Sequence, residues 1–476
     1  MARIVELLNG LIWSQALIWL CLGAGFYFSV RTRFLQVRHV KEMWRLLWHG
    51  EASERGITSF QAFALAVSGR VGTGNIAGVA TAIAMGGPGA VFWMWTIAFV
   101  GAGSAFVEAT LAQLYKEEIG GQYRGGPAYY IERGLKVKWY AVVFAVATTV
   151  ATGFFMPGVQ ANGIGAAMAN AFDVPPLATA VVVAGLMGAI IFGGVKRIGR
   201  AAQLIVPVMA LGYLVMAAIV VAVHAREVPA VMALIVRSAF GVDAAFGGVV
   251  GLAISWGVKR GIYSNEAGQG STPMAAAAAE VKHPAAQGLV QAFSVYVDTW
   301  LVCSATAFMI LLTGSYNVAN PAGGFLREGL PAVEAGPAFT QAAVDAVLPG
   351  VGSGFVAVAL FFFAFTTLMA YYYYAETNLA YLRRNAASPK LFTLLRLMFL
   401  GVTFYGTLRQ ADVAWAMGDI GVGLMAWLNL IAILLLAKPA IVCLRDYEAQ
   451  RKAGIKEPRF VAKAAGIAEA GAIWKE

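Results

Sequence analysis

Eleven residues, Ser68 to Gly78 (SGRVGTGNIAG), have the makings of a ligand-binding stretch of backbone. They sit inside an apolar segment, Phe60 to Ala84, long enough to cross a bilayer, for which about 20 residues suffice. Yet Gly69, Gly72 and Gly74 each weaken a helix by about 1 kcal/mol relative to alanine. Arg70 and Asn75 add a charge and an amide where hydrocarbon would otherwise surround them. Such a stretch unwinds, and unwound backbone at membrane depth survives only where protein or a watery cavity satisfies its N–H and C=O groups, which can then bind something. Gly74 and Gly78 also form a GxxxG pair, which packs helices closely. The arginine, the asparagine and the additional glycines favour the ligand site.

Other polar residues lie in apolar surroundings. Glu108, in FVEATLAQLY, is a carboxylate inside a segment; Arg70 is its expected partner by type, either as a structural ion pair or in cation coupling. Gln291, Ser294, Asp298 and Thr299 share roughly one face of a later segment. Thr366 and Thr367 are adjacent hydroxyls that on a membrane helix ordinarily bond back to the preceding turn. A second weak segment, Ala245 to Tyr263, carries Gly247, Gly248, Gly251 and Gly257, with Ser255, Trp256 and Gly257 expected at mid-membrane. Catalytic motifs are missing: no GxSxG, HExxH or P-loop occurs. The three cysteines and four histidines form no cluster, so neither an enzyme nor a resident cofactor is expected.

The elements that must hold these residues follow from hydropathy. Of 476 residues 59% are hydrophobic and 13% charged, with mean hydropathy +0.70, which marks an all-α integral membrane protein embedded in lipid. Apolar runs give eleven crossings: Leu11–Val30, Phe60–Ala84, Ala90–Leu114, Trp139–Val159, Leu177–Val195, Gln203–Val223, Ala245–Tyr263, Gln287–Leu312, Gly354–Tyr381, Leu391–Leu408 and Val413–Ala437. An amphipathic helix, Gln36 to Gly50, is expected to lie on the inner face. Apart from Arg70 and Arg396 within crossings, only Arg3, Arg226, Arg237, Arg327 and Arg409 fall on one side, and the remaining basic residues on the other. That asymmetry puts the N-terminus outside and the C-terminus in the cytoplasm, so the net charge of +10 reports topology and not a nucleic-acid partner. Residues 1–57 then form an N-terminal helix and the amphipathic helix, 58–224 and 225–438 two halves of five crossings each, and 439–476 a cytoplasmic tail. An odd number of crossings per half inserts the halves with opposite topology, and the glycine-broken crossing comes first in each. Paired broken helices of this kind point to a transporter's midplane site.

The strings SGRVGTGNIAG, FVEATLAQLY, GGPAYYIERGL and YSNEAGQGS, in this order, resemble those of the prokaryotic alanine or glycine:cation symporter family, over about Thr58 to Lys438. That resemblance implies a leucine-transporter-like fold, within the amino acid-polyamine-organocation superfamily, of ten core helices in two inverted repeats of five, plus one extra N-terminal helix. It also implies roles. Of the substrate-binding Gly72, Thr73, Gly74 and Asn75, Thr73 and Gly74 would donate to the substrate carboxylate and Asn75 would be a polar neighbour; carbonyls of Ser68 and Val71 with Thr366 and Thr367 would hold Na+; Ser255, Trp256 and Gly257 would line the amino-acid pocket. Since Arg70 stands where two-sodium relatives have a small residue, one coupling cation is expected. The implied function is Na+-driven import of alanine, glycine or D-alanine into a prokaryotic cell by alternating access. The alternatives are a proton-coupled transporter of the same fold, with Glu108 or Asp298 as carrier, and more remotely a channel or membrane enzyme.

Overall fold

The computed structural model describes residues 2–48, 55–243, 245–384, 389–409, 411–467 and 470–474. Its first helices, α1 (Ala2–Ile12) and α2 (Gln15–Arg31), are followed by the amphipathic α3 (Val40–Leu47); Gly50, the expected end of that segment, lies outside the described residues. The first weak segment is α4 (Ser59–Arg70), a break, a wide i→i+5 turn over Gly74–Gly78, and α5 (Val79–Gly86). Thr58 and Gln61 start α4 with a capping box, each side chain bonding the other's backbone N–H at 3.1 Å. Next come α6 (Gly89–Leu114), then α7 (Lys138–Val150) running through a wide turn into α8 (Met156–Phe172), then α9 (Pro176–Ile191), α10 (Gly194–Val223) and α11 (Val228–Ala239).

The second weak segment is α12 (Val250–Asn265), a break, and the single turn α13 (Pro273–Ala277). α14 (Pro284–Val295) continues through a wide turn, Tyr296–Cys303, into α15 (Ser304–Leu312). The chain ends with α16 (Pro337–Asp345), α17 (Gly352–Leu382), α18 (Pro389–Thr407), α19 (Ala411–Leu435) and α20 (Ala437–Lys452). Among the described residues six helical stretches are long and apolar enough to cross a membrane. Two small hairpins depart from the all-helical expectation: β1 (Glu117–Ile119) with β2 (Gln122–Arg124), turning on Gly120 and Gly121 at positive φ, and β3 (Asn317–Ala319) with β4 (Phe325–Glu328). Both are in connections, where short paired strands satisfy backbone that no helix covers.

Polarity runs inside out. Leu204, Val208 and Leu211 of α10 are 72%, 69% and 65% exposed, while Arg70, Glu108, Glu266, Asp298, Thr366 and Thr367 are at most 1% exposed. Lipid can cover those leucines and valines without penalty, so the centre is left free to be polar. Around it pack α4, α6, α8, α12, α14 and α17. At one end the start of the first broken segment is tied to the end of the second: Ile57 N donates to Ala278 O and Glu280 N to Ile57 O, both at 2.9 Å. The tail closes on the same end, with Trp474 Nε1 bonding Gln113 O at 2.9 Å and Glu448 of α20 paired with Arg33 at 2.6 Å and Arg38 at 2.7 Å.

Candidate functional site

At the first break, helical bonding stops after Val71, whose ψ of 92° turns the chain out of the helix. The freed groups find partners on other helices. Thr73 donates its backbone N–H (3.0 Å) and its hydroxyl (2.7 Å) to Oε1 of Gln160 on α8. The Thr367 hydroxyl, on α17, is shared between the carbonyl of Val71 at 3.2 Å and that of Phe363 in its own helix at 3.0 Å. Gly72 N–H bonds Asn75 Oδ1 at 2.9 Å. Only glycine fits at 72, since a Cβ there would lie 2.5 Å from Thr367 Oγ1 and 2.7 Å from Gln160 Oε1. Two helices therefore converge on the adjoining peptides either side of Gly72, which offer amide donors on one side and a carbonyl on the other. Gln160 escaped the sequence reading because a lone glutamine three residues after a Pro-Gly pair carries no signal of its own.

Thr366 is turned elsewhere. Its hydroxyl bonds the Phe363 carbonyl at 2.9 Å and faces Met209 Sδ, so of the two expected hydroxyls the structure brings only Thr367 to the break. The Ser68 hydroxyl bonds back to Leu65 O at 2.7 Å, apart from the carbonyl for which the cation role is expected. Asn75 braces: Nδ2 donates to Asp298 Oδ1 at 2.6 Å. Asp298 also accepts from Ser264 (2.9 and 3.0 Å) and Thr299 (2.7 Å), so one carboxylate clamps the first broken segment to α12.

The second break is not where the glycines of α12 suggested. Helix α12 runs unbroken through Ser255, Trp256 and Gly257, and these three do not meet the first break. Ser255 accepts from Gln15 at 3.1 Å and, with Trp256, Trp13 and Lys259, lines a separate cleft of about 330 Å³ beside α1. Gly257 is a packing glycine, where a Cβ would come 2.5 Å from Ala90 O on α6. Two turns later Tyr263 and Ser264 face Gly74, their nearest atoms 3.3 and 3.4 Å from the position of a Cβ there. The chain then breaks at Glu266 (φ 53°), Gly268 (φ 81°) and Gly270 (φ 87°), left-handed conformations that end a helix outright, whereas glycines with ordinary helical φ only soften one. The string NEAGQGS held the better signal, two glycines alternating with polar residues.

Arg70 and Glu108 are not partners. Glu108 fills the second break, accepting from Gly268 N at 3.1 Å and from Asn429 Nδ2 at 2.8 Å. Arg70 donates to Gln291 O (3.1 Å), Thr272 Oγ1 (3.0 Å) and Ser294 Oγ, and forms no ion pair among the described residues. The reason is geometric: α4 ends facing α14, while α6 passes behind the second break. Lys259 and Arg260 are inside α12 and pair with Asp419 of α19, each at 2.7 Å, with Arg260 stacked 4.5 Å over Trp415. In the connection after α6, Lys116 donates to Ala279 O at 2.8 Å; burial pushes its ammonium down to about 7, against the opposing charge of Glu280.

A polar centre between two interrupted helices, with an amide face and a carbonyl face on the two peptides flanking Gly72, suits a small zwitterion and a hard cation. The sequence profile of the sodium:alanine symporter family matches residues 1–462. Over 476 residues the chain is 62% identical to a putative sodium/proton-dependent alanine carrier of Bacillus subtilis (strain 168), covering 100% of this chain and 98% of that one. Over 434 residues it is 52% identical to a sodium/proton-dependent alanine carrier of Bacillus sp. (strain PS3), covering 90% and 96%. Among solved structures, the manganese transporter of Eremococcus coleocola superposes with a TM-score of 0.52 at 12% identity, over 85% of this chain and 88% of that one, a likeness of fold. With its profile matched from the first residue to the tail, and relatives this similar over their whole length, the chain belongs to the sodium:alanine symporter family.

Proposed function

We propose that this protein imports alanine, or a neutral amino acid as small as glycine, by symport with Na+. The observation that carries this reading is the convergence on Gly72: Thr73 N–H and hydroxyl on one side, Val71 carbonyl with Thr367 hydroxyl on the other. The amide side suits the substrate carboxylate and displaces the Gln160 carbonyl that now occupies it; the carbonyl side suits Na+. Only a small side chain is tolerated, because Gly72 and Gly163 are pressed by Thr367, Gln160 and Thr73. Gly72, Thr73, Gly74 and Asn75 would then form the substrate side and the carbonyls of Ser68 and Val71 with Thr367 the cation side, Thr366 joining it only by turning from Phe363 and Met209, with Tyr263 and Ser264 in the place first given to Ser255, Trp256 and Gly257.

The membrane arrangement in this reading is eleven crossings: an N-terminal helix, two inverted halves over 58–224 and 225–438, and a cytoplasmic tail, in a prokaryotic cell membrane with the N-terminus outside. Rocking one set of helices against the other exposes the site to each side in turn, and no covalent step is involved. Counterflow of labelled alanine and glycine into proteoliposomes, with Na+, Li+ or neither, tests it; Na+-independent uptake of both would overturn it. A second reading, coupling to protons as well as Na+, is favoured by the names of both Bacillus relatives. Alanine-dependent acidification of the vesicle interior would support it.

A further inference from the structure

Three carboxylates are wholly buried at the centre, and they are not equally provided for. Asp298 accepts hydrogen bonds from Asn75, Ser264 and Thr299, and Glu108 from Gly268 and Asn429. Glu266 accepts none at either oxygen, although it is 0% exposed. Its surroundings are oxygens that also lack partners. The Tyr374 hydroxyl of α17 converges with it over Gly69, where a Cβ would lie 2.6 Å from Tyr374 Oη and 3.3 Å from Glu266 Oε2. Ser271 stands beside the carboxylate in a geometry too poor for a hydrogen bond, and its hydroxyl too is unpartnered.

A buried carboxylate without donors costs several kcal/mol unless a cation stands beside it. The charged groups facing Glu266 are Arg70 from α4, Glu108 from α6 and Asp298 from the turn after α14; Tyr263 of α12 and Tyr371 and Tyr374 of α17 complete the titratable set. One guanidinium thus faces three carboxylates, and it is bonded to Gln291, Ser294 and Thr272 instead of to any of them. A single Na+ at Val71 and Thr367 would leave the centre one cation short. Chelating oxygens from three separate elements, α17 and both sides of the second break, are already in place around the acid that lacks a partner.

We propose that Glu266, with the Tyr374 and Ser271 hydroxyls, forms a second monovalent-cation site, taking a proton or Na+, so that two positive charges accompany each alanine. This rests on the transport reading and departs from the single-cation expectation, because Arg70 is outnumbered by the acids around it. The test is the number of charges moved per alanine, measured as a reversal potential with the full-length chain in proteoliposomes, with a trapped pH dye and ²²Na⁺ flux recorded together. Two charges are expected for the wild type: one Na+ with one proton if the dye responds, or two Na+ if it does not. Glu266→Gln should move one charge per alanine in whatever transport it retains, a count that does not depend on rate. Should that variant be inactive, Tyr374→Phe should raise the concentration of the second cation needed for half-maximal uptake about tenfold. A wild-type count of one charge, or a Glu266→Gln count equal to the wild type, overturns the second site while leaving alanine transport intact. Failure of wild-type alanine counterflow would overturn both.

Discussion

At the first break, Val71 to Thr73, the freed amides and carbonyls are met by Gln160 and Thr367, each reaching in from its own helix, and by Asn75 from the turn that follows. The second break, Glu266 to Thr272, is held differently. Its backbone is gripped at Gly268 by Glu108 and Asn429, but the side chains of Glu266, Gln269 and Ser271 are buried without partners. A satisfied break is a rigid cradle whose donors are aimed before a ligand arrives, which lowers the cost of ordering it. An unsatisfied one is stabilised by whatever cation or rearrangement supplies the missing bonds. In the proposed reading that difference suits the first break to alanine and its Na+ and the second to the additional cation.

Substitution at the first break should do the most damage. Gly72→Val places atoms within hydrogen-bonding distance of both Thr367 and Gln160, and uptake should fall about 100-fold or more. Retained Na+-driven uptake in that variant would mean the cradle lies elsewhere. Gln160→Leu comes next, since it orphans the Thr73 amide and hydroxyl at about 1–3 kcal/mol. Because the substrate carboxylate takes the place of that Gln160 oxygen, alanine affinity should rise roughly 10- to 100-fold while the unliganded protein becomes less stable. The two threonines of α17 should separate: Thr367→Ala raises the Na+ concentration for half-maximal uptake about tenfold, a loss near 1.4 kcal/mol, while Thr366→Ala shifts it far less because its bond stays within its own helix. The reverse order would show that Thr366 turns inward when Na+ binds. Ser255→Ala should change alanine uptake by less than about twofold, as expected of a side chain outside the site.

The smallest effect concerns the tail beneath the second break. Asp446 accepts from His283 at 3.1 Å, a bond that holds its carboxyl below the usual range, with burial opposing. A depressed folded value means the stabilisation is present above the ordinary carboxylate range and is lost as pH falls through the folded value. Protease sensitivity of the tail should therefore appear only below roughly pH 4. Release at pH 5 to 7 would point to His283 instead.

Composition and local pattern were enough for much of this molecule. Hydropathy placed it in a membrane, the glycines around Arg70 located the first break, and four short strings pointed to its family, because these depend on what each segment does to its own backbone and to lipid. The position of the second break was written in NEAGQGS but outweighed by the more numerous glycines from Gly247 to Gly257, of which Gly257 proved to be a contact point for α6 while Gly248 and Gly251 face open space. Which acid meets Arg70, which hydroxyl reaches Val71, that Gln160 closes on Thr73 and that Glu266 is left alone were decided only by how distant helices pack. A buried polar group takes its partner from whatever lies across the interface, and residues some 90 to 300 positions apart in the chain carry no mark of having been brought together.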